Sequence, residues 1–136
     1  MSAPILPDLD VWLKALSRHH PDPLVVHAFA THLTDRRLHL LGWIRQGLLA
    51  RVADERQSLR LHSALSAFPD LRVLTDDHVR AARLARRLRA EGHALGPWHA
   101  LMWSIATRIG GVVWSLDRRW RALGARGAPL WAPEPR

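Results

Sequence analysis

Acidic residues follow apolar segments near both ends of this 136-residue chain. Asp8 and Asp10 come just after the apolar run 5–7, and Asp117 comes just after the apolar run 111–116. In an open parallel α/β sheet, ligands bind in the crevice beyond the carboxyl ends of the strands, so acids placed there can hold a metal ion or a substrate. Because Asp8 and Asp117 can meet only if their strands are neighbours, we predict that the two strands pair in one sheet.

Each candidate residue also has a simpler interpretation. Asp8 and Asp117 each precede a predicted helix, and aspartate is a favoured N-cap because its carboxylate accepts hydrogen bonds from the first turn. Asp10 could supply a third carboxylate, although side chains alternate along an extended segment and Asp10 would start on the opposite side. His99 begins a helix at the predicted cleft, but with tryptophans nearby in the sequence it could also be a half-buried histidine without function.

Strand-like and helical segments alternate along the chain, which predicts a parallel sheet covered by helices on both faces. The strands are predicted at residues 5–7, 36–42, 71–74 and 111–116, and the helices that follow them include 43–52, 54–68, 75–91, 97–109 and 118–123. We therefore expect an α/β fold of three α/β/α layers around a central parallel sheet of four to five strands.

The length predicts one domain. We place it at residues 1–123, with residues 124–136 as an extended or disordered tail that Leu130 and Trp131 can dock. Within the domain, Asp76 and Asp77 are expected to stabilise the dipole of the 75–91 helix from its first turn.

Seven tryptophans with no tyrosine suggest either a large aromatic core or surfaces that stack on bases. We expect Trp12, Trp103 and Trp114 in the core, because they lie on elements whose side chains should fill it. By contrast, Trp98, Trp120 and Trp131 are expected to be the more exposed ones.

The charge is strongly positive, with 20 Lys and Arg residues against 12 Asp and Glu residues and a net charge of +8. Such a charge suits a polyanion such as RNA, although arginines on a helix surface are often only a solvated face. The absence of cysteine excludes disulfides and thiolate metal sites and fits a cytoplasmic protein. No segment has the composition of a signal peptide or of a membrane span, so we expect no membrane partner.

Three segments, in order, resemble the motifs of PIN domains and, within that superfamily, of VapC-type toxins from toxin–antitoxin pairs. Residues 8–12 resemble the opening Asp-x-Asn/Ser-Val motif. Residues 97–109 resemble the helix that normally reads Asp-Ala-Leu-Ile-Ala-Ala, and residues 112–120 resemble the closing Leu-Val-Thr-x-Asp-x-x-Phe motif. The likeness extends from about residue 5 to residue 123.

The resemblance implies a ribonuclease that uses Mg²⁺ or Mn²⁺, held by a cluster of acids, to hydrolyse RNA phosphodiester bonds. Hard oxygen ligands suit these ions, which activate water and neutralise charge on the phosphate. Asp8 matches the first acid and Asp117 the last, so the resemblance makes both metal ligands and catalytic residues, with Asp10 as an additional ligand. It also implies an antitoxin partner, and we expect a homodimer.

Two of the expected acids are missing. Gly47 matches the position of a glutamate, unless its role is only close packing, and His99 matches the position of the third acid. Histidine is a poor ligand for Mg²⁺ and a better one for Mn²⁺. Three hypotheses follow: a ribonuclease of reduced activity in which His99 completes the site, a catalytically inactive PIN-like module that binds RNA or a protein, and a scaffold domain of a homodimer.

Overall fold

The computed structural model describes residues 2–133 and is mostly helical. Its elements, in chain order, are β1 (Ile5–Pro7), α1 (Leu9–Leu16), α2 (Pro23–Thr34), α3 (Gly42–Leu49), α4 (Glu55–Leu65), α5 (Thr75–Ala90), α6 (Pro97–Ile109), β2 (Val112–Trp114) and α7 (Arg118–Gly124). The two strands pair in parallel, with Ile5 opposite Val112 and Pro7 opposite Trp114. The predicted pairing of the first and last strands is therefore confirmed.

The prediction of a sheet with four to five strands was wrong. Further segments lie parallel beside the pair, but they are joined only by isolated bridges: Leu38 to Ile5 of β1, Asp70 to Leu40, and Leu130 to Val113 of β2. A ladder needs successive paired residues. The segment at 36–42 cannot supply them, because Arg36 has a left-handed φ of 57° and Leu41 already serves as the N-cap of α3. Helices therefore dominate, around a sheet reduced to its two central strands.

The passage from α6 into β2 depends on two glycines. Gly110 ends α6 with φ 66°, a conformation that glycine adopts without the steric penalty of a side chain. A Cβ on Gly111 would lie 2.8 Å from the backbone oxygen of Pro4, so only glycine allows β2 to approach the chain just before β1 this closely. This approach sets the register that brings the two strand ends together.

The core lies between the strand pair and the helices, and α6 is buried over most of its length. Trp12, Trp103 and Trp114 are buried, which confirms their predicted place in the core. Trp98 is 59% exposed, as predicted, whereas Trp120 is buried and its prediction was wrong.

Residues 128–131 pack beside β2. The backbone N–H of Val113 donates to the oxygen of Pro129 at 2.7 Å, and the N–H of Trp131 donates to the oxygen of Val113 at 2.8 Å. Leu130 and Trp131 are partly buried against the core. Residues 134–136 of the predicted tail lie outside the described residues. In the part of the chain that the structure covers, no helix is both long enough and apolar enough to cross a bilayer.

Candidate functional site

The ends of β1 and β2 bring three aspartates to one rim of the molecule. Asp8 follows β1 and caps α1, accepting a hydrogen bond from the backbone N–H of Leu9 at 2.8 Å. Asp117 follows β2 and caps α7, accepting from the backbone N–H of Arg119 at 2.9 Å. The backbone N–H of Asp8 donates to the oxygen of Trp114 at 2.8 Å, which ties the two strand ends together. The capping interpretation thus holds for both acids, and it coexists with their convergence.

Ser115 joins two of the acids, a contact that the sequence analysis did not anticipate. Its hydroxyl lies 3.2 Å from Oδ2 of Asp8 and 3.3 Å from Oδ2 of Asp10. The same oxygen of Asp10 accepts from the backbone N–H of Leu116 at 3.1 Å. Asp10 turns toward the rim because it lies in the first turn of α1, whereas the expectation of an opposite side assumed an extended segment. The signal in the sequence was its position two residues before Asp117, where the closing motif Leu-Val-Thr-x-Asp has a threonine.

His99 lies in the first turn of α6 and reaches the same rim. Its Nε2 is 3.6 Å from Oδ2 of Asp8, and its ring meets the ring of Trp120 edge to face at a centroid distance of 5.5 Å. Together with Asp117 and Arg119, His99 lines a cleft of about 220 Å³. The structure therefore brings together all four residues that the sequence analysis selected: Asp8, Asp10, His99 and Asp117.

Arg119 forms a salt bridge with Asp117 and hydrogen-bonds both of its carboxylate oxygens. Its Nη2 lies 2.7 Å from Oδ2 and its Nε lies 3.2 Å from Oδ1 and 3.1 Å from Oδ2. The Arg119 side chain is 82% exposed, so the pair adds little to stability. It nevertheless places a permanent positive charge where the resemblance implied a metal ligand.

The pKa values at the rim shift in different directions. Burial alone would raise the pKa of Asp8, but the neighbouring His99 and the N–H of Leu9 outweigh it and hold that pKa below its ordinary value. Burial, reinforced by the charge of Asp8, raises the pKa of Asp10. Hydrogen bonds from Arg119 lower the pKa of Asp117. The Asp8 carboxylate beside the ring raises the pKa of His99 despite its burial.

The raised pKa of His99 predicts a dependence of stability on pH. The charged groups that face His99 are Asp8 and Asp117, which favour its protonated form, and Arg119, which opposes it. A histidine whose pKa is higher in the folded state stabilises the fold below its ordinary pKa of about 6.5 and loses that contribution as pH rises through the folded value. The contribution of Asp8, whose pKa is lowered, is lost only in acid, as pH falls below its ordinary value through the folded one.

We expect the difference in free energy of unfolding between the wild type and His99→Gln to shrink between about pH 6 and pH 8. The difference is the useful quantity, because burial lowers the pKa of His32 and of His39, which act in the opposite direction. Urea denaturation at both pH values measures it, with His62→Gln on the exposed surface of α4 as the control. A difference that is constant across this range would contradict the prediction.

The donor atoms at the rim do not fit Mg²⁺ or Mn²⁺. These ions need several free oxygen ligands in near-octahedral positions. Asp117 binds Arg119 through both oxygens, and Asp8 has one oxygen on the N–H of Leu9 and the other between His99 and Ser115. Over residues 2–133, no group of three or more His, Asp or Glu side chains is arranged to hold a metal ion.

Gly47, which stands where the resemblance implied a glutamate, is closely packed against a neighbouring helix. Gly47 lies in the second half of α3, where a Cβ would be 3.3 Å from Cδ2 of Leu9, so the structure supports its interpretation as a close-packing residue. Trp43, in the first turn of α3, instead faces Trp98 in the first turn of α6 at a centroid distance of 5.4 Å. An aromatic pair thus stands beside the helix turn that carries His99.

Comparison with known proteins gives structural relatives only. No family model matches the sequence, and the search of curated proteins found no match. A chain of FitAcB from Neisseria gonorrhoeae matches with a TM-score of 0.75 and 20% identity, over 95% of this chain and 97% of that chain. A chain of FitAB bound to the IR36 DNA fragment gives 0.73 and 16%, over 93% of each chain. A chain of VapBC2 from Rickettsia felis, bound to a DNA fragment from their promoter, gives 0.66 and 10%, over 87% and 91%.

At these identities the likeness shows the fold, which is PIN-like. The narrower resemblance to VapC-type toxins was wrong. Of these three structures, FitAcB and FitAB have both the higher TM-scores and the higher identities, and VapBC2 follows them.

Proposed function

We propose that this chain is the PIN-like member of a two-protein toxin–antitoxin complex and that it works by binding its protein partner. The similar chains come from FitAcB, FitAB and VapBC2 structures, two of which include DNA. This supports a partner of antitoxin type, and the shape and charge of the chain's surface support where that partner binds.

The observation that carries the proposal is an open groove of about 610 Å³ between α1, α3 and α4. We call it the α1–α4 groove; its lining residues are Leu13, Leu16, Ser17, Arg18, His19, Leu48, Arg51, Val52, Gln57, Arg60, Leu61 and Ala64. Its floor is apolar, and Leu16 is 45% exposed there. Apolar floors with a polar rim are typical of surfaces that bind a protein segment.

The rim of the α1–α4 groove is basic. Arg18, Arg51 and Arg60 line it, and within residues 2–133 none of the three forms an ion pair with a carboxylate. Such a groove fits an amphipathic segment that places apolar side chains on the floor and acidic side chains against the arginines. We therefore propose an acidic amphipathic segment of the antitoxin as its occupant.

Leu16→Arg is expected to weaken binding of the partner at least about 100-fold, because it removes apolar contact area and adds a charge on the floor. The partner to test is a small protein encoded by an adjacent reading frame, coexpressed and copurified with this chain and then titrated by calorimetry. Leu59→Arg is the matched control, because Leu59 is exposed on α4 but does not line the groove.

Two results would overturn the proposal. One is a folded Leu16→Arg variant that binds the partner as tightly as the wild type does. The other is the failure of the wild-type chain to associate with that protein at all. Arg60→Glu adds a second readout, since an acidic segment should bind this variant more weakly and depend less on salt.

Metal-dependent hydrolysis of RNA, the other function that the resemblance implies, has weaker support because the donors at the rim do not fit the ion. Binding of RNA is proposed only as a secondary property, favoured by the net charge of +8 and by the exposed Trp98. The homodimer and the cytoplasmic location stay predictions.

A further inference from the structure

We infer that His99 and Arg119 replace a divalent cation at the acidic rim, so that Asp8, Asp10 and Asp117 form a structural network that holds no metal. The proposal concerns the site at the strand ends and is independent of partner binding in the α1–α4 groove.

The first step is the balance of charge. Three carboxylates at one partly buried rim repel one another, and in an acidic metal site the cation compensates that repulsion. Here the chain itself supplies the compensation, permanently from Arg119 and, when the ring is protonated, from His99. His99 lies 3.6 Å from Asp8, and Arg119 lies 2.7 Å from Asp117.

The second step concerns the oxygens that a metal would need. Oδ1 of Asp8 accepts from the N–H of Leu9, and Oδ2 lies within 3.2 Å of the Ser115 hydroxyl. Oδ2 of Asp10 accepts from the N–H of Leu116, while Oδ1 is buried without a hydrogen-bond partner among residues 2–133. Apart from Oδ1 of Asp10, a metal ion that took these oxygens would compete with hydrogen bonds at the start of α1 and in the turn that precedes α7.

The third step is the geometry of the replacement. The histidine stands at the start of α6, where the resemblance implied an acid, and the edge-to-face contact with Trp120 of α7 holds its ring against Asp8. Ser115 adds a bridge from the β2–α7 turn to the β1–α1 turn. The network therefore joins α6 to both strand ends, which is the positioning that a bound ion would otherwise provide.

Metal binding to the full chain tests the inference directly. Calorimetry with MgCl₂ and with MnCl₂ should show no saturable binding to the wild type below about 1 mM, and the melting temperature should be the same with either salt as with EDTA. Saturable one-to-one binding to the wild type in that range would overturn the inference.

The double variant His99→Asp with Arg119→Ala restores a carboxylate and removes both cations. It should bind Mn²⁺ at least about 10-fold more tightly than the wild type and melt at a higher temperature in its presence. His62→Asp with Arg121→Ala makes the same changes of residue type at exposed positions that do not line the cleft and should gain no binding.

Arg119→Ala alone keeps the test decisive if the double variant does not fold. Its side chain is 82% exposed, so the core is unaffected, and it frees the carboxylate of Asp117. It should gain weaker but measurable Mn²⁺ binding over the wild type. If neither variant gains binding, these two residues are not what excludes the ion, and the inference is wrong.

Discussion

Arg108→Ala is expected to lower the free energy of unfolding by about 3 kcal/mol, because it leaves the carboxylate of Asp77 buried without its partner. Asp77 is fully buried, and Arg108 binds both of its oxygens, Nε to Oδ1 at 2.8 Å and Nη2 to Oδ2 at 3.0 Å. The effect falls at the low end for a buried pair, since the Arg108 side chain is 27% exposed and its removal lets water approach the Asp77 carboxylate. The pair ties the start of α5 to the end of α6.

Urea denaturation of the wild type and of Arg108→Ala measures the loss. Arg83→Ala is the matched control, because Arg83 is exposed on α5 and should change stability by no more than about 0.5 kcal/mol. A double-mutant cycle with Asp77→Asn should show strong coupling, since the second change removes the charge that the first one left unpaired. Equal effects of Arg108→Ala and Arg83→Ala would contradict this account of the pair.

The role of Asp77 shows what local pattern could not predict. Its place in the first turn of a helix favoured a dipole-stabilising acid, and its carboxylate does accept from the N–H of Leu74 at the start of α5. The sequence contains no sign that Arg108, on the next helix, lies against it. Such a pair is created by the packing of α5 on α6, which no short window of sequence encodes.

The sheet shows a different error, because strands were predicted that did not form. Apolar runs at 36–42 and 71–74 predicted strands, yet the first makes only two isolated bridges, at Leu38 and Leu40, and the second has only the bridge of Asp70, the residue before it. Apolar character shows that a segment is buried but not that its neighbours can pair with it residue by residue. The pairing of β1 with β2 was predictable for a different reason, because two acids at strand ends suggested that the strands lie side by side.

Sequence reasoning predicted which residues lie together at the rim, but it did not predict the interactions that they make there. Asp8, Asp10, His99 and Asp117 lie together, and their positions at strand ends and helix starts pointed to this. Arg119 was missed because an arginine two residues after an aspartate is common on a basic chain, and only the rotamer shows that it binds that carboxylate. Whether the four residues act in catalysis or ligate a metal stays a prediction, and the arrangement favours the network proposed above.

Trp12 links the core to the rim, because its indole contacts both the core and the end of β1. Its Nε1 donates to the backbone oxygen of Pro7, the last residue of β1, at 3.2 Å. Its ring meets Phe29 and Phe68 edge to face at 5.0 Å and 5.2 Å between centroids. One side chain thus packs α1 against the core and fixes the strand end that precedes Asp8.

Trp12→Ala is therefore expected to lower the free energy of unfolding by about 3–5 kcal/mol, the cost of emptying a large aromatic site in a close-packed core. Trp12→Phe keeps most of the apolar volume but loses the hydrogen bond to Pro7, so it should cost less than the alanine change, about 1–2 kcal/mol. Trp98→Ala removes an exposed ring and should cost no more than about 1 kcal/mol, which makes it the control for loss of a tryptophan as such.

Urea denaturation followed by far-ultraviolet circular dichroism ranks the three variants. If Trp98→Ala cost as much as Trp12→Ala, the division of the tryptophans between core and surface would be wrong, and with it the argument that the β1 end is held from inside the core.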